Sequence, residues 1–204
     1  MDVGYIAGRP SWSPDGGELA FIGRIARTEP LRLYATNLSD SRVITDVPDN
    51  SGSATEYCFG STDASWSSTG RIAFIACGTI ATIDPHGSGL RILPRPLPKN
   101  IGANAVAWSP DGERLAVAFM QDDCWDTCQT VIGLLSKDGT DYTDLVSDET
   151  NVSSPAWSPD GAHVIYTDGG CNTGSCMFDV RYVSADGSRG GIIVKNGFTP
   201  SWRP

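Results

Sequence analysis

The feature that most restricts the folds open to this chain is a repeat. Four segments share one template: SWSPDGGELAFIG from Ser11, SWSSTGRIAFIA from Ser65, AWSPDGERLAVAF from Ala107 and AWSPDGAHVIYTD from Ala156. A fifth, partial copy, SWRP, begins at Ser201. The repeat tryptophans Trp12, Trp66, Trp108, Trp157 and Trp202 lie 54, 42, 49 and 45 residues apart. Self-similarity at that period marks a chain built from one supersecondary unit repeated, the size of a four-stranded propeller blade.

Each copy reads as a hairpin. A short strand around the Trp is followed by Pro-Asp-Gly, in which Pro presets φ, Asp bonds its own backbone and Gly accepts a positive φ. An apolar run comes next, such as Leu115, Ala116, Val117, Ala118 and Phe119, and reads as a buried strand. A third strand is expected at residues 130–135 and 180–183. Polar turns such as Lys137-Asp138-Gly139 and Ala185-Asp186-Gly187 then lead to a fourth at residues 90–93 and 191–194. The fold class is therefore all-β, a propeller of four-stranded antiparallel blades within one domain over residues 1–204. A Trp at one fixed place in every copy is read as packing between blades, in preference to a stacking platform.

Trp-Ser-Pro-Asp-Gly followed by an apolar strand resembles the repeat of TolB-like propellers, relatives of the tryptophan–aspartate-repeat propellers, over nearly the whole chain. The resemblance implies a propeller, usually six-bladed, used as a protein-interaction module; some members precede a peptidase domain or act as pectin-fragment lyases. The motif specifies fold more than function. The chain ends suggest how the ring closes. Residues 199–203 supply a Trp strand, and the apolar residues 3–7 stand where other copies have the fourth strand of a preceding blade. Four complete blades plus a partial blade from both termini are expected, either as a small ring or as a six-bladed ring shortened at its N-terminus.

Six cysteines occur, Cys58, Cys77, Cys124, Cys128, Cys171 and Cys176. On the blade template all fall in loops on one rim: Cys124/Cys128, Cys171/Cys176 and Cys77 between second and third strands, Cys58 in the loop before Trp66. Local pairing, Cys58 with Cys77, Cys124 with Cys128 and Cys171 with Cys176, reads as disulfides and an oxidising compartment. Zinc held by the C-x3-C and C-x4-C pairs is a rival reading, disfavoured by the spacing and the absence of a rim histidine; reduced thiols are a third. The loop through Asp122, Asp123, Cys124, Trp125 and Asp126 holds the one Trp outside the repeat positions. Trp125 either contacts a partner or folds over its blade. Asp122, Asp123 and Asp126 read as a solvated acidic tip in preference to a calcium site.

A formal net charge of −9 and a pI near 4.5 disfavour nucleic acid as a partner. No apolar run approaches the ~20 residues of a membrane span, and MDVGYIAGRP shows no signal-peptide pattern. Nothing in the sequence points to a catalytic constellation, metal or cofactor: His86 falls in a predicted turn, His163 opens a strand, and no nucleophile, zincin or phosphate-loop motif occurs. Asn37-Leu38-Ser39 and Asn151-Val152-Ser153 match glycosylation sequons by pattern only. The expectation is a monomeric, non-enzymatic scaffold, periplasmic or on the cell surface, with a protein or cell-envelope component as partner. The alternative is a carbohydrate-directed, lyase-like propeller, or a peptidase-associated one that gates substrate.

Overall fold

The structure, a computed structural model, describes residues 5–26, 29–47, 62–76, 78–94, 101–121, 130–147, 151–172 and 175–202. It contains four antiparallel four-stranded sheets, each in simple up-and-down order. Blade 1 runs β1 (Tyr5–Trp12), β2 (Leu19–Arg24), β3 (Arg32–Thr36) and β4 (Ser41–Asp46). Blade 2 runs β5 (Thr62–Trp66), β6 (Ile72–Ala76), β7 (Thr79–Ile83) and β8 (Arg91–Ile92). Blade 3 runs β9 (Ile101–Trp108), β10 (Arg114–Gln121), β11 (Thr130–Ser136) and β12 (Tyr142–Val146). Blade 4 runs β13 (Ser153–Trp157), β14 (His163–Asn172), β15 (Ser175–Ser184) and β16 (Gly190–Val194). First strands of successive blades lie side by side, β1 by β5, β5 by β9 and β9 by β13. Fourth strands form the half-exposed outer edges. Among the described residues no helix is long and apolar enough to cross a membrane.

The second strands show why they read as continuous apolar runs. On β10, Leu115, Val117 and Phe119 enter the cluster shared with blade 2, which includes Ile75, Ile80 and Ile101. The intervening Ala116 and Ala118 enter the cluster shared with blade 4, beside Ile132, Val164 and Tyr166. On β6, Ile72 and Phe74 face blade 1, and Ala73 and Ile75 face blade 3. Successive side chains in a strand point to opposite faces, so a strand buried on both has no polar position to alternate. Each seam between blades is thus one apolar cluster.

The repeat tryptophans pack backwards, onto the blade before. Trp108 joins the blade 2–3 cluster and Trp157 the blade 3–4 cluster, and each keeps only 7% of its surface exposed. Trp66 is partly buried against the blade 1–2 cluster. The expectation of packing between blades does not extend to Trp12, which is 52% exposed. Among the described residues no sheet precedes blade 1, so its indole has nothing to pack on. Backbone hydrogen bonds join the same places: Trp66 N–H donates to Ser11 Oγ (2.9 Å) and Trp108 N–H to Ser65 Oγ (3.0 Å). Blade 3 has Ala107 at that position. There the Trp157 indole N–H donates to the Ala107 carbonyl (3.2 Å), with the Arg114 guanidinium 5.0 Å above the ring.

Both termini differ from the partial blade expected of them. Residues 5–7 continue into β1 and pair with β2, Tyr5 opposite Arg24 and Ala7 opposite Ile22, so they belong to a first strand and not to a preceding blade's fourth. Residues 199–202 form no strand. The segment instead folds along blade 4: Gly197 N–H donates to the Phe178 carbonyl, Thr199 N–H donates to Thr167 Oγ1, and Phe198 tilts against Phe178 at 6.2 Å. The described sheets do not close a ring.

Candidate functional site

Up-and-down topology gives the array two opposite faces. The turn face carries the first-to-second and third-to-fourth hairpins. The rim face carries the second-to-third connections and the approaches to the first strands.

The turn face is built by a serine as much as by Pro-Asp-Gly. Ser13, Ser109 and Ser158 are buried, and each Oγ donates to the Asp two residues on at 2.5–2.6 Å. The same Oγ accepts the N–H of Glu18, Arg114 or His163, and the Asp carboxylate accepts a backbone N–H two residues further. These bonds hold the carboxyls of Asp15, Asp111 and Asp160 below the ordinary range, with the serine bond the largest cause. In blade 2 the turn is one residue shorter; Ser67 Oγ shares a hydrogen bond with Thr69 and accepts from Arg71 N–H. Ser136-Lys137-Asp138-Gly139 builds the same network between third and fourth strands, and Ser136 and Thr140 bring the Asp138 carboxyl down to about 2. Turns also reach across seams, with Ser68 Oγ donating to the Pro110 carbonyl (2.6 Å) and Arg42 to that of Pro85 (2.5 Å). The repeat aspartates are therefore turn groups, as their position predicts.

The first strands carry one polar hub. Asp63, 2% exposed, accepts from Arg9 on β1 at 2.8 Å and from Val106 N–H on β9 at 3.0 Å through the same oxygen. One carboxylate thereby ties the inner strands of three blades.

On the rim face, a cleft of about 240 Å³ opens between blades 3 and 4. Asn104, Met120 and Thr130 line it from blade 3, and Asn151, Val152 and Ser153 from the approach to β13. Gly169, Gly170 and Phe178 line it from the β14–β15 hairpin. Among the described residues no lining side chain is charged. Two first strands depart from regular pairing here. Ala103 pairs with Phe119 and Ala105 with Ala118, so Asn104 is the extra residue of a β-bulge. On β13 the register slips between Ser153 and Ala156, and Ser154 has φ +54°. Asn151 sits at φ +60°. Asn104 Oδ1 is buried and has no hydrogen-bond partner. The hydroxyl of Thr130 accepts from Val152 N–H at 2.9 Å. A Cβ on Gly169 would come 2.1 Å from the Met177 carbonyl oxygen, so that position needs glycine, whereas one on Gly170 would come 2.7 Å from Asn151 Nδ2 and displace only that side-chain amide.

The rim residues singled out from the sequence are only partly among those described. Trp125, Asp122, Asp123, Asp126, Cys124, Cys128, Cys58 and Cys77 lie outside the described residues. Cys171 and Cys176 stand opposite each other in the β14–β15 register, and Cys176 is disulfide-bonded. His86 lies in a turn and His163 rests its ring edge against Tyr182 at 5.8 Å. Asn37 closes a turn by accepting from Ser39 and Asp40 N–H, whereas Asn151, the other sequon residue, lines the cleft. Asn104, Met120 and the Gly169-Gly170 pair were not legible as a site: a one-residue bulge and a close backbone approach leave no periodic signal.

No protein-family model matches the chain, and no curated protein sequence does. Solved structures do. TolB from Acinetobacter baumannii superposes with a TM-score of 0.65 at 18% identity, over 96% of this chain and 45% of that one. A putative TolB from Agrobacterium tumefaciens gives 0.68 at 15% identity, over 98% of this chain and 72% of that one. The tricorn protease gives 0.55 at 11% identity, over 90% of this chain and 18% of that one. The chain thus spans less than half the length of the Acinetobacter protein. At such identities the likeness is one of architecture, and it identifies the four sheets as blades of a TolB-like β-propeller fold.

Proposed function

We propose that this chain is a non-enzymatic protein-interaction scaffold acting outside the bacterial cytoplasm, with its rim face as the contact surface. The observation that carries the reading is the contrast between the faces of a TolB-like array. The turn-face hairpins pair their Ser and Asp side chains with one another and with backbone N–H groups, whereas the rim face presents a bulged cleft, uncharged among the described residues, with the Asn104 acceptor left over. The resemblance to TolB-like propellers, used as interaction modules, supports the same role, and the acidic net charge favours a protein partner over nucleic acid.

The extracytoplasmic part rests on the cysteines. Cys176 is oxidised, and its register partner is Cys171. Its place opposite Cys176 in the strand register makes Cys171 the proposed partner, as the blade template expects. Cys124–Cys128 and Cys58–Cys77 are proposed as the other pairs from their places on the blade template. The short loops closed by Cys124–Cys128 and Cys171–Cys176 would stiffen the rim and lower the ordering cost of binding. The denatured, unreduced protein should show no reactive thiol, and all six after reduction. Six thiols before reduction, or stoichiometric zinc, would remove the oxidising compartment.

The contact surface is tested by placing a photo-crosslinking residue at Met120 or Phe178 on the rim, or at Asp111 or Asp160 on the turn face, in the producing cell. Protein adducts from the rim positions alone support the scaffold. Rim adducts whose added mass is removed by glycosidase would favour the carbohydrate-directed alternative.

A further inference from the structure

We infer that the cleft between blades 3 and 4 binds an extended, uncharged peptide segment, with Asn104 Oδ1 accepting one backbone N–H of the ligand and Met120 receiving an adjacent aliphatic side chain. The inference rests on the scaffold reading and goes beyond it in naming the site and the ligand chemistry.

Three observations converge. Asn104 Oδ1 is buried without a partner, and a buried acceptor left unpaired is costly, so such an atom in a cleft wall is explained by a donor arriving from outside. The bulge that makes Asn104 the extra residue of β9 turns its side chain out of the ladder's alternation, which is how bulges beside binding sites re-aim a group. The opposite wall is held in sparsely populated backbone, with Asn151 at φ +60° and Ser154 at φ +54°. Strain of that kind persists where the surroundings over-determine it, and it gathers at ligand sites.

The lining selects the ligand. Among the described residues no carboxylate, guanidinium or ammonium lines the cleft, so they offer a charged ligand no compensation for its desolvation. One orphan acceptor beside Met120 matches a peptide unit next to an apolar side chain. A sugar would ask for several more hydrogen bonds, and the Thr130 hydroxyl already accepts from Val152 N–H. At about 240 Å³ the cleft is smaller than the ~300–1,000 Å³ of drug-sized pockets, and suits one residue of a longer segment.

The test uses the full chain and the capped tripeptide acetyl-Ala-Leu-Ala-amide, followed by NMR at the Met120 methyl and the Asn104 side-chain amide. A saturable shift at both is expected. Asn104→Leu removes the acceptor while relieving a buried unpaired atom, so it should remain folded and bind about tenfold more weakly. Gly170→Ala displaces the Asn151 amide without touching Asn104 and should also weaken binding, which keeps the test decisive if the first variant perturbs the fold. Saturation by a neutral N-acetylglucosamine trisaccharide in place of the peptide would overturn the ligand class. Absence of any shift, or a peptide affinity unchanged in both variants, would overturn the site. In either case, rim crosslinks to protein would leave the scaffold reading standing, whereas their absence from both rim positions would fail that reading itself.

Discussion

At the turn between β9 and β10, Ser109 Oγ donates to Asp111 and accepts from Arg114 N–H, and the Asp111 carboxylate also takes Glu113 N–H. At the other end of the same strand, Asn104 Oδ1 is buried with nothing to bond. The two ends of β9 are built to different standards because they answer different demands. The turn must form in every blade for strands to pair in register. The rim end is free to depart from the repeat, and in blades 3 and 4 it does so by bulges and positive φ. A repeat protein can thus keep its folding instructions on one face and its recognition chemistry on the other.

The largest expected effect belongs to neither face and sets the scale. Trp108→Ala should cost about 3–5 kcal/mol in denaturant unfolding, since it empties a buried indole site in the blade 2–3 seam. Trp12→Ala should cost less than about 1 kcal/mol, because that ring is half exposed. Equal losses would break the account of tryptophans packing backwards onto the preceding blade.

Next comes the turn face. Gly112 has φ +70°, and a Cβ there would lie 2.8 Å from Thr69 Cγ2 in the neighbouring blade. Gly112→Ala should cost about 1–3 kcal/mol from strained backbone alone. At the rim, Gly170→Ala has only a movable amide to displace and should cost less than Gly112→Ala. The reverse order would contradict the division between the faces.

Acid should act on the turn face as well. Asp138 is held at about 2 against an ordinary 3.8, chiefly by its hydrogen bond from Ser136. A carboxylate with a depressed folded value contributes stability that is complete above its unfolded value and lost as pH falls through the folded one. The thermal midpoint should therefore drop between about pH 4 and pH 2, and the Asp138→Asn variant should lose part of that slope. Peptide binding at the uncharged cleft should stay flat between about pH 5 and pH 8. The smallest effect is on stability at the cleft: Asn104→Leu should leave unfolding unchanged or slightly raised. A loss above about 1 kcal/mol would show that Asn104 holds the blade together.

Much of the turn face was legible from the sequence. Pro-Asp-Gly located the hairpins, and the two-sided apolar runs located the second strands. The serine two places before each repeat Asp was in view at Ser13, Ser109 and Ser158, with Ser67 in the shorter turn, and its constancy could have shown that the turn is closed by a side chain. The difference between Trp12 and Trp108 was not legible, because burial of an indole depends on which sheet precedes it. The cleft was not legible either. Asn104 is one residue out of step in an otherwise regular strand, and Gly169-Gly170 matter through contacts with Met177 and Asn151 that only the folded hairpin brings close. The expected terminal blade failed for a related reason: residues 5–7 have the apolarity of a fourth strand, but their backbone partners lie on β2.

The seams have a consequence for how the molecule comes apart. Among the described sheets, blades 2 and 3 are each held by two clusters, and blades 1 and 4 by one. Thermal opening should therefore begin at an end and travel inward like a zipper, with amides of β6 and β10 the last to exchange with solvent. The Asp63 carboxylate resists the first step at one end: peeling blade 1 away would strip the Arg9 guanidinium from a carboxylate that is only 2% exposed. Blade 4 is tied to the first strand of blade 3 by a neutral bond, the Trp157 indole N–H on the Ala107 carbonyl, in place of an ion pair. The cleft lies on that seam. A peptide seated between blades 3 and 4 would bridge an end blade to its neighbour, so occupancy should be readable as slowed exchange across blade 4 as well as at the cleft itself.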